Sequence, residues 1–115
     1  MAGLDIILRN AQRRDLCVAQ EAYDQLSSEL EELRREIEAA RSNVTDETLE
    51  DRLRIRANLI ELAVRCAHAA VTSSSGAANS LMHPAQRVYR EALVFTVSAQ
   101  TGPIMDATLR RIARF

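Results

Sequence analysis

The chain has 115 residues, the size of one ordinary domain, and dividing it in two would leave each half short of core. Hydrophobic residues make up 47% but aromatics only 3%, and three glycines with two prolines are too few for the many tight turns of a sandwich or barrel, which excludes an all-β fold. The formal charge is -1 and all 15 basic residues are arginine, so Schiff-base chemistry and lysine-dependent phosphate loops are excluded as well.

From residue 4 to residue 40 there is no Gly or Pro, and Ala19, Ala22, Leu26, Leu30, Leu33, Ile37 and Ala40 recur at steps of three and four. That spacing predicts one long amphipathic helix over 4–41, with Glu31, Arg34, Arg35, Glu38 and Arg41 as ion pairs on its solvated face. Such a helix would reach over about 50 Å, longer than a domain of this size is wide. A second copy is therefore expected to cover the end carrying Leu4, Ile7, Leu8 and Ala11, giving a homodimer or larger homo-oligomer.

Thr45 is placed to cap a second helix over about 46–73, with Asp46 and Glu47 in its first turn. Its apolar residues begin as a stripe at Leu49, Leu53, Leu59 and Ile60. Between Leu62 and Val71 they cover most of the circumference, so that half is expected to be buried nearly all round. Asn58, Glu61, Arg65 and His68 interrupt the run and exclude a membrane span. A small-residue loop over 72–83 follows, then a third helix over 85–97 opened by Pro84, and, after Gly102-Pro103, a fourth over 104–114. The expected fold is an all-α bundle of two long antiparallel helices and two shorter C-terminal ones.

Few residues offer chemistry. His68 and His83 lack the spacing of metal ligands; His68 reads as a satisfied histidine of the core or facing the loop, and His83 as a weak general-acid candidate. The serines at 73–75 have no strand-turn-helix context and read as caps and turns, although a loop of hydroxyls and free N–H groups can seat a phosphate. Cys17 and Cys66 form no CxxC, and no signal peptide precedes them, which predicts buried reduced thiols and a cytoplasmic setting. The arginines at 52, 54 and 56 and at 110, 111 and 114 lie near acids or a helix end, so no nucleic-acid stripe is expected.

The run from Ser75 to Ala92 resembles the C-terminal helical domain of the acyl-CoA dehydrogenase flavoenzyme family, whose pattern is a glycine-rich turn, Pro, a basic residue and Arg-Asp-Ala. Gly76 matches a turn glycine, Pro84 the proline, Arg87 the basic position and Arg90-Glu91-Ala92 the Arg-Asp-Ala. The likeness extends over about residues 15–112, with its specific part at 72–101. It implies contact with the pyrophosphate and adenosine of FAD, often across a subunit interface, at Thr72, Ser75, Gly76 and Thr101.

Departures from the family pattern shape the functional expectation. Ser75 and Ala78 carry a Cβ where the family has glycine, and Thr72 replaces Gln, so the isolated chain is expected to bind FAD weakly or not at all. The family's catalytic Glu falls on Ala99, which accepts no proton, and the acyl-binding and isoalloxazine-binding domains are not expected in this chain. No catalytic residue is assigned. Arg90 is read as pairing with a carboxylate and helix ends of its own domain, with contact to a cofactor phosphate as the alternative, and Arg87 as facing the loop or a partner. Two roles follow: an oligomeric accessory or flavin-associated subunit, on its own or completing a separate flavoprotein, and alternatively a cofactor-free helical scaffold.

Overall fold

A computed structural model describes residues 1–42, 49–98 and 100–114. The described residues contain five α-helices: α1 (Ala2–Arg14), α2 (Cys17–Ser42), α3 (Leu49–Ser74), α4 (Pro84–Val97) and α5 (Gly102–Ala113). A short 3-10 turn, Ser75–Asn79, joins α3 to the segment before α4. The expected cap at Thr45, the acids Asp46 and Glu47, and Ala99 lie outside the described residues.

The expected single helix over 4–41 is two helices. Asp15 adopts a left-handed conformation at φ 51°, ψ 48°, and the Leu16 N–H donates to the Ala11 carbonyl at 3.1 Å, closing α1. Asp tolerates that conformation better than most residues, so a helix can end without the Gly or Pro that usually announces it. A continuous helix of more than about 50 Å would also exceed the molecule's longest extent of 47 Å. Because the chain turns at Asp15, Leu4, Ile7 and Ala11 are buried within their own molecule and Leu8 is half-buried. The helix-length argument for a second copy is thereby removed.

Helix α3 is the axis of the bundle: α1, α2, α4, α5 and the 3-10 turn all pack on it. The wide apolar circumference read in its sequence makes this possible, with Ala57, Ile60, Leu62, Cys66, Ala67 and Ala70 buried. One core cluster joins Leu4, Ile6 and Ile7 of α1, Leu26, Leu30 and Leu33 of α2, and Leu62, Cys66 and Ala70 of α3. Ala78 of the turn and Ala85 of α4 complete it.

The approach of α1 to α3 is close. A Cβ added at Gly3 would lie 3.0 Å from the Cys66 carbonyl oxygen and 3.1 Å from its carbon, both backbone atoms that cannot rotate away. Gly3→Ala is therefore expected to destabilise the protein by about 1–3 kcal/mol through overpacking. Gly102→Ala, where a Cβ meets nothing within 4 Å, serves as the comparison. Chemical denaturation of the two variants checks this, and equal midpoints would show that the contact relaxes freely.

Candidate functional site

The residues singled out by the family resemblance divide between the two ends of α3. Thr72 is exposed and its hydroxyl donates to the His68 carbonyl at 2.8 Å, so its proton is committed to the helix. Ser75, also exposed, is left-handed at φ 56° and turns the chain from α3 into the 3-10 turn. Gly76 has no positive φ and nothing within 4 Å of an added Cβ, so it neither uses glycine's conformational freedom nor lies in a tight cradle. The residue in the glycine-favouring conformation is its neighbour, Ser75.

Thr101 lies at the other end of the bundle. It precedes α5, and its carbonyl accepts from the Met105 N–H at 2.8 Å. The Ser98 carbonyl, just before it, accepts from Arg56 of α3 at 3.4 Å. Arg56 and Thr72 are separated along α3 by 16 residues, about 24 Å of helix at 1.5 Å per residue. Thr72, Ser75 and Gly76 are thus brought together, whereas Thr101 is not, and the four do not make a flavin cradle within one chain.

Several other expectations change. The Ala78 methyl belongs to the core cluster and does not stand against a ligand. Rather than lying in the core, His68 is exposed, with its ring edge-on to Tyr89 at 6.2 Å between centroids. Cys17 is exposed, while Cys66 is buried, and burial pushes the Cys66 thiol up, against reactivity. Arg90 is exposed and has no carboxylate partner among the described residues, so the expected structural ion pair is not formed; Arg87 instead pairs with Glu91 at 3.5 Å. His83 caps α4, its Nδ1 accepting from the Ala85 N–H at 3.1 Å. That bond explains why a histidine stands before Pro84, a capping role that its place at the end of a loop did not reveal.

Between α2, α3 and α5 lies a charged groove of about 450 Å³. Arg65 of α3 grips Glu29 of α2 with both terminal nitrogens, the Nη2 to Oε1 bond being 3.1 Å. Arg111 of α5 donates to Glu61 of α3, and Arg54 of α3 meets Glu36 of α2 at 3.0 Å. These are complementary pairs that tie helices together, while Glu32, which also lines the groove, has no ion-pair partner among the described residues. The Arg65 bond holds the Glu29 carboxyl below the usual carboxylate range, against a smaller opposing effect of burial.

A different feature marks the outer faces of α4 and α5. Tyr89, Leu93 and Val97 form a stripe on α4 beside Val94, and Met105, Leu109 and Ile112 form a second on α5; all seven are between 44% and 63% exposed. Both helices lie on α3 without packing on each other. Single exposed apolar residues are ordinary, but helix-spaced sets of this size mark surfaces that meet other molecules. Periodicity alone missed them, because an apolar stripe facing solvent has the same spacing as one facing a core.

No group of three or more His, Cys, Asp or Glu that could hold a metal occurs among the described residues, and none of their helices is long and apolar enough to cross a membrane. The chain matches no family model, no curated protein and no solved structure. The resemblance to the acyl-CoA dehydrogenase C-terminal domain therefore rests on the residues themselves.

Two outcomes are expected from this geometry. Ser75→Gly should stabilise by about 0.5–1 kcal/mol by relieving the left-handed conformation, whereas Ala78→Gly should destabilise by about 1 kcal/mol through lost burial and added chain entropy. Thermal melts of the two single variants should shift in opposite directions. For Glu29 the depressed folded value means that its stabilisation is present above about pH 4.3 and is lost as pH falls through the folded value. Glu29→Gln should therefore be less stable than wild type at neutral pH, with the difference vanishing in acid; a gap that persists at low pH would assign the loss to packing instead.

Proposed function

We propose that this chain is a helical assembly module resembling the acyl-CoA dehydrogenase C-terminal domain, acting in the cytoplasm as an oligomeric accessory subunit without a dehydrogenase reaction of its own. The observation that carries this reading is the pair of exposed apolar stripes on α4 and α5. A core of Leu, Ile and many Ala residues folds without using those side chains, so their placement outside is explained by a surface they cover in an assembly.

The chemistry supports an accessory role over an enzymatic one. Ala99 offers no carboxylate at the family's base position, and His83 is engaged as a cap. FAD contact through Thr72, Ser75, Gly76 and Thr101 requires a neighbouring subunit or a separate flavoprotein, because in one chain Thr101 lies at the far end of α3 from the others. The separation of these residues also supports a second reading, a cofactor-free helical scaffold.

Native mass spectrometry of the full chain, with an absorption spectrum of the same sample, distinguishes these roles. The expected result is a homo-oligomer, or a complex with a co-purifying flavoprotein, and no stoichiometric flavin on the isolated chain. Leu93→Glu and Leu109→Glu place a charge in each stripe and should each lower the assembled mass or shift the concentration needed for assembly by tenfold or more. A monomer at all concentrations that captures no flavoprotein partner would overturn the assembly reading. A full complement of flavin on a lone chain would overturn the accessory reading.

A further inference from the structure

At the end of the bundle where α1 and α3 finish and α4 begins, a cavity of about 380 Å³ is lined by Asn10, Arg13, Arg14, Ser74, Ala77 and His83. It is more enclosed than the grooves on the other faces. None of the residues lining it is a carboxylate, and two are guanidinium groups.

The charged side chains lining this cavity are both arginines. Arg34, Arg41, Arg54, Arg65, Arg87 and Arg111 each have a glutamate within 4.0 Å. Arg13 and Arg14, like Arg90, have no such partner among the described residues, but these two line one cavity together. Their position in the last turn of α1 suits the negative helix end, and Asp15 follows them in sequence. Those features offset part of the positive field, but Asp15 does not line the cavity, and neither feature fills it.

The other lining residues are held in place. Asn10 Nδ2 donates to the hydroxyls of Ser73 and Ser74, each at 2.9 Å, and both hydroxyls donate to the Ala70 carbonyl at 3.2 and 2.8 Å. Gln86 of α4 donates to the carbonyls of Ala78 and Asn79 at 3.2 and 3.1 Å, fixing the turn that carries Ala77. His83 is oriented by its capping bond. Since Nδ1 accepts from Ala85, the neutral ring carries its proton on Nε2, which is left as a donor. The start of α4 adds the positive end of a helix of 14 residues.

Two guanidinium groups and a histidine lining one partly open cavity, with no carboxylate among its lining residues, match the oxygens of a phosphate group. We propose that Arg13, Arg14 and His83 form a binding site for the phosphate of a small phosphorylated metabolite. The cavity lies within the range of small-molecule pockets, toward its lower end near 300 Å³, and exceeds what a bare phosphate fills, leaving room for an attached group of sugar size. The site uses none of Thr72, Ser75, Gly76 or Thr101 and lies apart from the stripes on α4 and α5, so it does not rest on the assembly reading.

Titration calorimetry of the full chain near physiological salt tests the site, with ribose 5-phosphate, inorganic phosphate and unphosphorylated ribose as probes. Ribose 5-phosphate should bind saturably at submillimolar concentration and more tightly than inorganic phosphate, and ribose should not bind. Arg13→Gln and Arg14→Gln should each weaken binding at least tenfold. His83→Asn keeps a side-chain acceptor for the Ala85 N–H, so α4 remains capped while the Nε2 donor is removed, and binding should weaken several-fold with an unchanged melting temperature. Arg35→Gln, on the exposed face of α2, should leave affinity unchanged. No saturable binding at millimolar probe, or equal loss in Arg35→Gln, would overturn the site; equal affinity for inorganic phosphate would overturn the metabolite assignment.

Discussion

The packing of four helices around α3 is the constraint on which the remaining structure depends. A helix whose apolar residues cover most of its circumference leaves little surface for water, and each neighbour must approach closely enough to exclude it. Gly3 facing the Cys66 backbone shows how close that approach becomes: at this point an added Cβ would meet the α3 backbone at 3.0 Å. Small residues make the same accommodation elsewhere, with Ala67, Ala70 and Ala85 at 1% exposure or less. The core is therefore built as much from short side chains that admit neighbouring backbones as from large ones that fill space.

This economy leaves large apolar residues to spare. The buried residues of α4 and α5 are Ala85, Ala92 and Thr108, while Leu93, Val97, Leu109 and Ile112 turn outward. Charges are arranged differently. Around α2, α3 and α5 arginine–glutamate pairs brace the bundle, whereas the cavity at the junction of α1, α3 and α4 is lined by Arg13 and Arg14 and by no carboxylate. The bracing ion pairs, the exposed apolar stripes and the cavity beside Arg13 and Arg14 occupy three separate regions, so each can be altered with limited effect on the others.

Helical class was legible in composition, and α3, α4 and α5 were legible in the helical repeat and in the prolines that open the last two. The turn at Asp15 was not, because its signal is a backbone conformation that Asp merely tolerates, in a stretch whose charges and apolar spacing suit an uninterrupted helix. That residue decides the larger picture: a long helix would leave the Leu4–Ala11 end for a second copy to cover, whereas a folded-back α1 buries its own apolar face. The small-residue composition of 72–83 predicts a loop, yet its first residues extend α3 and the next five form a 3-10 turn, with Ser75 bearing the left-handed conformation expected of a glycine.

By itself the sequence determined helical content, the wide apolar surface of α3 and the absence of lysine chemistry, because each follows from residue type or from spacing within one segment. Tertiary structure alone decided which apolar stripes face inward and which arginines find a glutamate. It also decided that Arg13 and His83, 70 positions apart, line one cavity while Thr72 and Thr101 do not share a site. Those outcomes depend on where a turn sends the next helix. A single left-handed residue at position 15 redirects everything before it while leaving the local pattern of the sequence unchanged.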